Sequence, residues 1–314
     1  MGKRKAKPAF SGLGSFVQAL QVEGDSSTRK EPNTSAATNV HDRPAKRRKT
    51  ISEPQYVEKY DMTGRVPHYQ EEWEVPEPLK KYFFQRTRYF SLYSTPPGCL
   101  LDEEGWYSVT PERIANQIAE RCRCHTVLDA FCGVGGNAIA FAKTCQRVIA
   151  LDTSPTRLAL ARHNAQIYGV AHHIEFILSD YITFAKSYLA RSSTLTSPKA
   201  RKIDVVFLSP PWGGPSYLSD SNTPSGEEED LDAHPTYPLS AIEPIHGAEL
   251  FHLSRRITPN IAYYLPRNSD LNEISAVLGE GEEYVEVEEE WMGNKLKALT
   301  CYFGGLAEGQ EDLF

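Results

Sequence analysis

Residues 204–215, Asp-Val-Val-Phe-Leu-Ser-Pro-Pro-Trp-Gly-Gly-Pro, gather unusual chemistry in one place. An apolar run suited to a strand buried on both faces ends in Ser209-Pro210-Pro211-Trp212. Consecutive prolines fix the backbone and remove two N–H groups, which leaves the Ser209 and Pro210 carbonyls as pure acceptors. At the carboxyl edge of a sheet such a pair can hold an exocyclic NH₂ and aim its lone pair. Trp212 then offers a flat face on which the base can stack. A rigid turn under a core tryptophan is the bland alternative. Against it, a Trp flanked by Pro-Pro and Gly-Gly has little helix or strand to pack under. Two cations are candidates to complete the site. Arg267, in Leu265-Pro-Arg-Asn268 after another apolar run, can bind a phosphate bidentately. Lys81 offers a second phosphate contact or is a plain surface lysine, and spacing leaves both open.

A second constellation lies upstream. Residues 127–137, Val-Leu-Asp-Ala-Phe-Cys-Gly-Val-Gly-Gly-Asn, join a strand to a helix through Gly133, Gly135 and Gly136. Glycines there let the backbone approach a ligand that a Cβ would exclude. With Ala138 the run also fits the G-x-G-x-x-G/A dinucleotide fingerprint, a weak signal alone. Asp152, ending the next strand, can accept both hydrogen bonds of an adenosine ribose. Asp129, beside the glycine turn, opposes a pyrophosphate but attracts the ammonium of a methionine moiety. The two acids together favour S-adenosyl-L-methionine over NAD. Asn164 is placed to support Asp152. Asp180 with Tyr181, after the third strand, can meet an adenine edge, and Asp180 is equally placed as a helix N-cap.

Alternating strands and helices position these residues. Strands are predicted over 126–131, 147–151, 174–178, 204–208 and 260–265. A glycine-opened helix runs through Lys143, and a second over 155–168 is stopped by Gly169. Two last strands, 284–291 and 295–303, flank Met292-Gly293-Asn294, a hairpin signal. The pattern predicts an α/β fold: a class I methyltransferase, Rossmann-like doubly wound sheet, mostly parallel, with a closing antiparallel β-hairpin. A small helical N-terminal extension precedes it. Residues 54–109 form this aromatic extension, with one helix over 79–93. Thr110-Pro111-Glu112 supplies an N-cap, an N1 proline and a first-turn acid. Residues 110–306 are the catalytic domain, interrupted by a mobile acidic loop at 216–245, and 307–314 are a tail.

Charge separates the ends of the chain. Residues 1–50 hold 11 Lys and Arg against 4 Asp and Glu, and the remainder 23 against 37, a net of −14. Residues 1–53 are therefore expected to be a disordered basic arm, with Arg43-Pro-Ala-Lys-Arg-Arg-Lys49 of the nuclear-import kind. No run reaches the length of a membrane span, and no secretory signal follows the first methionine. The six cysteines lack C-x-x-C spacing and are expected to be free thiols rather than metal ligands.

Four segments carry a family resemblance: 129–137 (Asp-Ala-Phe-Cys-Gly-Val-Gly-Gly-Asn), 209–215 (Ser-Pro-Pro-Trp-Gly-Gly-Pro), 265–268 (Leu-Pro-Arg-Asn) and 105–111 (Gly-Trp-Tyr-Ser-Val-Thr-Pro). Over residues 77–306 the chain resembles the trimethylguanosine synthase family, cap-specific guanine-N2 methyltransferases. The resemblance implies that Trp212 binds the cap and that Ser209 and Pro210 contact the region of N2. It places Asp129, Asp152, Asn164, Thr110 and Phe90 around the cofactor, and Lys81 and Arg267 near the cap triphosphate. It implies a 7-methylguanosine-capped small nuclear or nucleolar RNA as substrate and core proteins of the corresponding particles as recruiting partners. It also implies no metal, no membrane, and residence in the nucleus and nucleolus with a cytoplasmic share. Trp212 suits that substrate, because a cationic N7-methylated guanine gains about 0.5–2 kcal/mol of cation–π energy on an indole. The rivals are an adenine-N6 or cytosine-N4 amino-methyltransferase, a non-catalytic cap-binding protein, and an NAD-dependent oxidoreductase. Intact Asp129 and Asp152 disfavour the second, and Asp129 disfavours the third.

Overall fold

The computed structural model describes residues 56–192, 202–213, 236–279 and 284–307. The basic arm, the terminal tail and the acidic part of the expected loop lie outside them. The strands are β1 (Thr126–Asp129), β2 (Arg147–Asp152), β3 (Ile174–Leu178), β4 (Val205–Leu208), β5 (Ile261–Pro266), β6 (Glu286–Met292) and β7 (Lys295–Phe303). They form one sheet in the order β3-β2-β1-β4-β5-β7-β6. The first five strands run parallel, and β7 pairs antiparallel to β5 and to β6. The predicted architecture, a parallel doubly wound sheet closed by a hairpin, is the observed one. Gly293, at φ +69°, turns the hairpin in a region that a Cβ resists.

Because strand side chains alternate, each strand feeds two cores. Val127, Val205, Phe207 and Tyr264 face a layer built from the N-terminal extension and three helices, α4 (Glu112–Arg121), α5 (Gly136–Thr144) and α6 (Pro155–Ile167). Leu128, Val206, Leu208 and Tyr263 face the opposite layer, α7 (Tyr181–Ser192), α8 (Gly247–Arg255) and α9 (Leu271–Ala276). Residues 56–109 thus share one core with the sheet, through Val75, Leu79, Phe83, Phe90, Tyr93 and Trp106.

Three local expectations are corrected. The single helix over 79–93 is instead two one-turn helices, α1 (Lys80–Phe83) and α2 (Arg86–Tyr89), followed by α3 (Glu103–Ser108). The break is held by Gln85 Nε2 donating to the Lys81 carbonyl and by the Arg86 guanidinium donating to that of Phe83. Thr110 does not cap α4, since Pro111 occupies that position and the Thr110 hydroxyl engages Asn137. The end of the expected 216–245 loop is packed: Tyr237, Leu239 and Ile242 are buried, and the Leu239 N–H donates to Glu273. Apolar side chains at those positions draw the segment onto the α8 layer.

Candidate active site

The sheet order puts β1 beside β4, with the chain winding outward on either side of them. Ligands bind in the crevice at such a switch point, outside the carboxyl ends of the strands. Asp129 pairs with Phe207 in register, so Asp129 and Ser209 end adjacent strands. The Ser209 hydroxyl donates a long bond, 3.4 Å, to the Phe131 carbonyl, which ties the two strand ends together. The two constellations read separately from sequence therefore lie side by side at the carboxyl edge of the sheet.

On the β1 side, Asp129 is fully buried. Its Oδ1 accepts a long bond from the Phe131 N–H (3.4 Å), and Oδ2 has no hydrogen-bond partner. Burial pushes its carboxyl up to about 7, since the charged form loses its hydration. A cationic group against Oδ2 would reverse that, so the site fits the ammonium of S-adenosyl-L-methionine. Gly133 has φ +51° and open space where a Cβ would stand, as close approach of a ligand requires. Gly135, at φ +93°, has a structural reason: an added Cβ would meet the Cβ of Ala161 at 3.0 Å. Asp152 Oδ2 accepts from the Gly133 N–H (3.0 Å) and Oδ1 from the Ser154 N–H (2.7 Å). Each oxygen keeps a lone pair for a ribose hydroxyl.

Asn164 does not support Asp152. It is fully buried, accepts from the Leu100 N–H (2.7 Å), and donates to the Leu100 and Val134 carbonyls (2.9 Å each). Its amide clamps the extension to the glycine turn. The neighbouring His163 repeats the device, accepting from the Met62 N–H (3.2 Å) with Nε2 3.0 Å from the Gly98 carbonyl. Asp180 is the cap of α7, Oδ1 accepting from the Thr183 N–H at 2.8 Å, and its side chain is otherwise exposed. Tyr181 is turned inward, its hydroxyl 2.6 Å from Ser254 Oγ. Phe90 is buried against Tyr168, with ring centroids 6.1 Å apart.

On the β4 side, Pro210 is buried and Trp212 half-buried. The indole lies 5.2 Å from the Tyr264 ring at 33°, and the Tyr237 hydroxyl is 3.3 Å from the Trp212 carbonyl. Partial burial leaves part of the indole open for a base. Around Lys297 on β7 the structure assembles cations from three segments. Burial first, then the charges of Lys295, Arg267, Arg88 and Lys81, hold the Lys297 ammonium below the usual lysine range. The four charges that bear most on it are thus all positive, and such a group fits a polyphosphate. Lys81 and Arg267 were read from sequence; Arg88, Lys295 and Lys297 were missed. Alternation in Asn294-Lys-Leu-Lys297 placed both lysines on one strand face, a signal available but unused.

A family profile described as RNA cap guanine-N2 methyltransferase matches residues 124–306. A Schizosaccharomyces pombe protein named trimethylguanosine synthase is 36% identical over 240 residues, 73% of this chain and 87% of that one. A Saccharomyces cerevisiae protein of the same name is 35% identical over 217 residues, 64% of this chain and 60% of its own length. A solved structure from Porphyromonas gingivalis W83, described as a candidate methyltransferase, superposes over 76% of this chain and 55% of its own. Its TM-score is 0.50 at 12% identity, a likeness of fold.

Proposed function

This chain belongs to the RNA cap guanine-N2 methyltransferase family, and from that premise we propose that it converts a 7-methylguanosine cap to 2,2,7-trimethylguanosine by two successive methyl transfers. The observation that carries the reading is the adjacency of the two strand ends. A buried carboxylate with one oxygen, Oδ2, unpartnered at the end of β1 stands beside the Ser-Pro-Pro-Trp segment at the end of β4. The residues present fit S-adenosyl-L-methionine, with Asp129 for its ammonium and Asp152 for its ribose. When bound, that cofactor supplies an electrophilic methyl group on a sulfonium.

The chain's own groups do the rest. The Ser209 and Pro210 carbonyls accept from the guanine N2 amine and fix the direction of its lone pair. Trp212 stacks on the base, and the positive charge of an N7-methylated purine strengthens that contact. Lys81, Arg88, Arg267 and Lys297 hold the triphosphate. No His or Glu is needed as a strong base, because the N7 charge eases loss of the N2 proton. Catalysis is then positioning plus acceptor electrostatics. An adenine or cytosine amino-methyltransferase would use the same acids, and its neutral base would gain no cation–π energy on Trp212.

The substrates in this reading are capped small nuclear and nucleolar RNAs. The basic run at 43–49 addresses the enzyme to the nucleus and nucleolus, with a cytoplasmic share. The net −14 of the rest of the chain argues for recognition confined to the cap, with particle core proteins choosing the transcript. Methyl transfer from labelled cofactor to m7GpppG, beside unmethylated GpppG, tests the activity. Label in m7GpppG alone, in up to two steps, is the expected result. Label in neither, with the cofactor bound, returns the reading to adenine or cytosine.

A further inference from the structure

Two cysteines meet at the amino edge of the sheet, opposite the edge where the crevice opens. Cys124 stands in the turn between α4 and β1, and Cys145 is the C-cap of α5 just before β2. The parallel register pairs Thr126 with Arg147, so each cysteine lies two residues ahead of that pair on its own segment. The Arg147 N–H donates to the His125 carbonyl at 2.9 Å and carries the pairing back towards them. Neighbouring strands lie about 4.8 Å apart, inside the roughly 4.4–6.8 Å between Cα atoms that a disulfide spans. The two sulfurs are 3.8 Å apart, and both cysteines are free thiols.

Cys124 is half-buried and within reach of a small solute, while Cys145 is buried. The S–H of one can donate to the thiolate of the other. The pair therefore loses its first proton below the usual thiol range and its second above it. The thiolate is the reactive form, and the nearby Arg123 charge favours it. We propose that Cys124 and Cys145 are a peroxide-reactive dithiol, a modification site that closes to a disulfide joining the start of β1 to the end of α5. The Cys124 thiolate attacks one oxygen of hydrogen peroxide, the O–O bond breaks, and the departing hydroxide takes up the thiol's proton as water. The Cys145 thiolate then attacks the sulfenic sulfur of Cys124. The S–S bond forms, the S–O bond breaks, and hydroxide leaves to become a second water with the Cys145 proton. Two thiols and one peroxide thus give one disulfide and two waters, and two electrons pass from sulfur to oxygen. A second thiol in contact stops Cys124 at the sulfenic acid, before the irreversible sulfinic stage. The bond closes residues 124–145, which carry Asp129 and the glycine turn, without entering the crevice.

Stoichiometric hydrogen peroxide added to the reduced full chain tests it. Thiol titration in denaturant should then count two fewer than the six free cysteines of the reduced protein. Peptide mass spectrometry without reductant should join the peptide holding Cys145 to the one holding Cys124, with fragmentation placing the bond on Cys124 rather than on Cys132. Because the bond closes a loop of about twenty residues, Tm should rise by about 5–10 °C and return with dithiothreitol. Cys124→Ser and Cys145→Ser should each abolish both the link and the rise. Should Cys145→Ser not fold, the half-buried Cys124→Ser and the thiol count of the unaltered chain carry the same test. Six thiols remaining after peroxide, a sulfinic acid at Cys124, or a bond that includes any other cysteine would overturn the proposal.

Discussion

The two halves of the crevice are built in opposite ways. The two acids of the cofactor half, Asp129 and Asp152, come from one strand–turn–helix–strand unit, residues 129–152. The cap half is gathered from four distant places: α1 and α2, the end of β4, the end of β5, and β7. The cofactor half is buried, and desolvation raises the Asp129 carboxyl to about 7. The cap half is half-open and crowded with like charge. A compact motif can store one strong, desolvated interaction. A surface collected across the fold instead sums many weaker ones.

The sharpest break of that contrast is Trp212→Ala, which removes the one concentrated contact of the cap half. Affinity for m7GpppG, followed by fluorescence quenching, should fall by about 100-fold or more, from lost stacking and cation–π energy together. Retained affinity would mean the indole is only a core residue.

Asp129→Asn tests the stored interaction and should act with opposite signs. Cofactor binding should weaken by about 30-fold at pH 8. The ligand-free protein should become more heat-stable there, because the folded carboxyl is raised from 3.8 to about 7. Such a group leaves stability intact below about pH 4 and lowers it as pH climbs towards 7. At pH 4 the variant should therefore show no gain. In the unaltered protein, cofactor affinity should rise with pH up to about 7 and then level, since binding there expels the Asp129 proton. A flat pH profile would show that the carboxylate does not face the ammonium.

Lys297→Met and Arg267→Ala probe the distributed side. Each should raise KM for m7GpppG by about 5- to 20-fold with a smaller change in kcat, and each should flatten the salt dependence of binding. Loss confined to one of the two would mean the phosphates follow a single cation rather than the group.

Asn164→Ala should cost stability rather than chemistry, about 2–4 kcal/mol by denaturant unfolding, through three buried hydrogen bonds. It should also loosen the cap half more than the cofactor half, because it frees the extension that carries Lys81. The smallest effect is expected on β6, where Glu290 pairs with Ala298, the neighbour of Lys297. Glu290 is buried on β6 and raised from 4.5 to about 7 by desolvation, with Thr300 Oγ1 donating to it at 2.5 Å. Glu290→Gln should add about 1 kcal/mol at pH 8 and nothing at pH 4.

The sequence by itself determined the sheet and the cofactor half. Strand periodicity, Asp129, the glycine turn and Asp152 are local, and local patterns survive in a linear reading. It also marked Ser209–Trp212 through the rigidity of Pro-Pro, and it named Arg267 and Lys81 with the family's help. It misread residues that bond to partners far along the chain. Asn164 became a clamp, Tyr181 turned into the α8 layer, Thr110 left its cap for Asn137, and the 79–93 helix broke in two. The hairpin lysines joined the site because β7 lies beside β5, and Arg88 because the extension packs on the sheet. Hydrogen-bond satisfaction and charge summation depend on distances through space, and only the tertiary structure sets those.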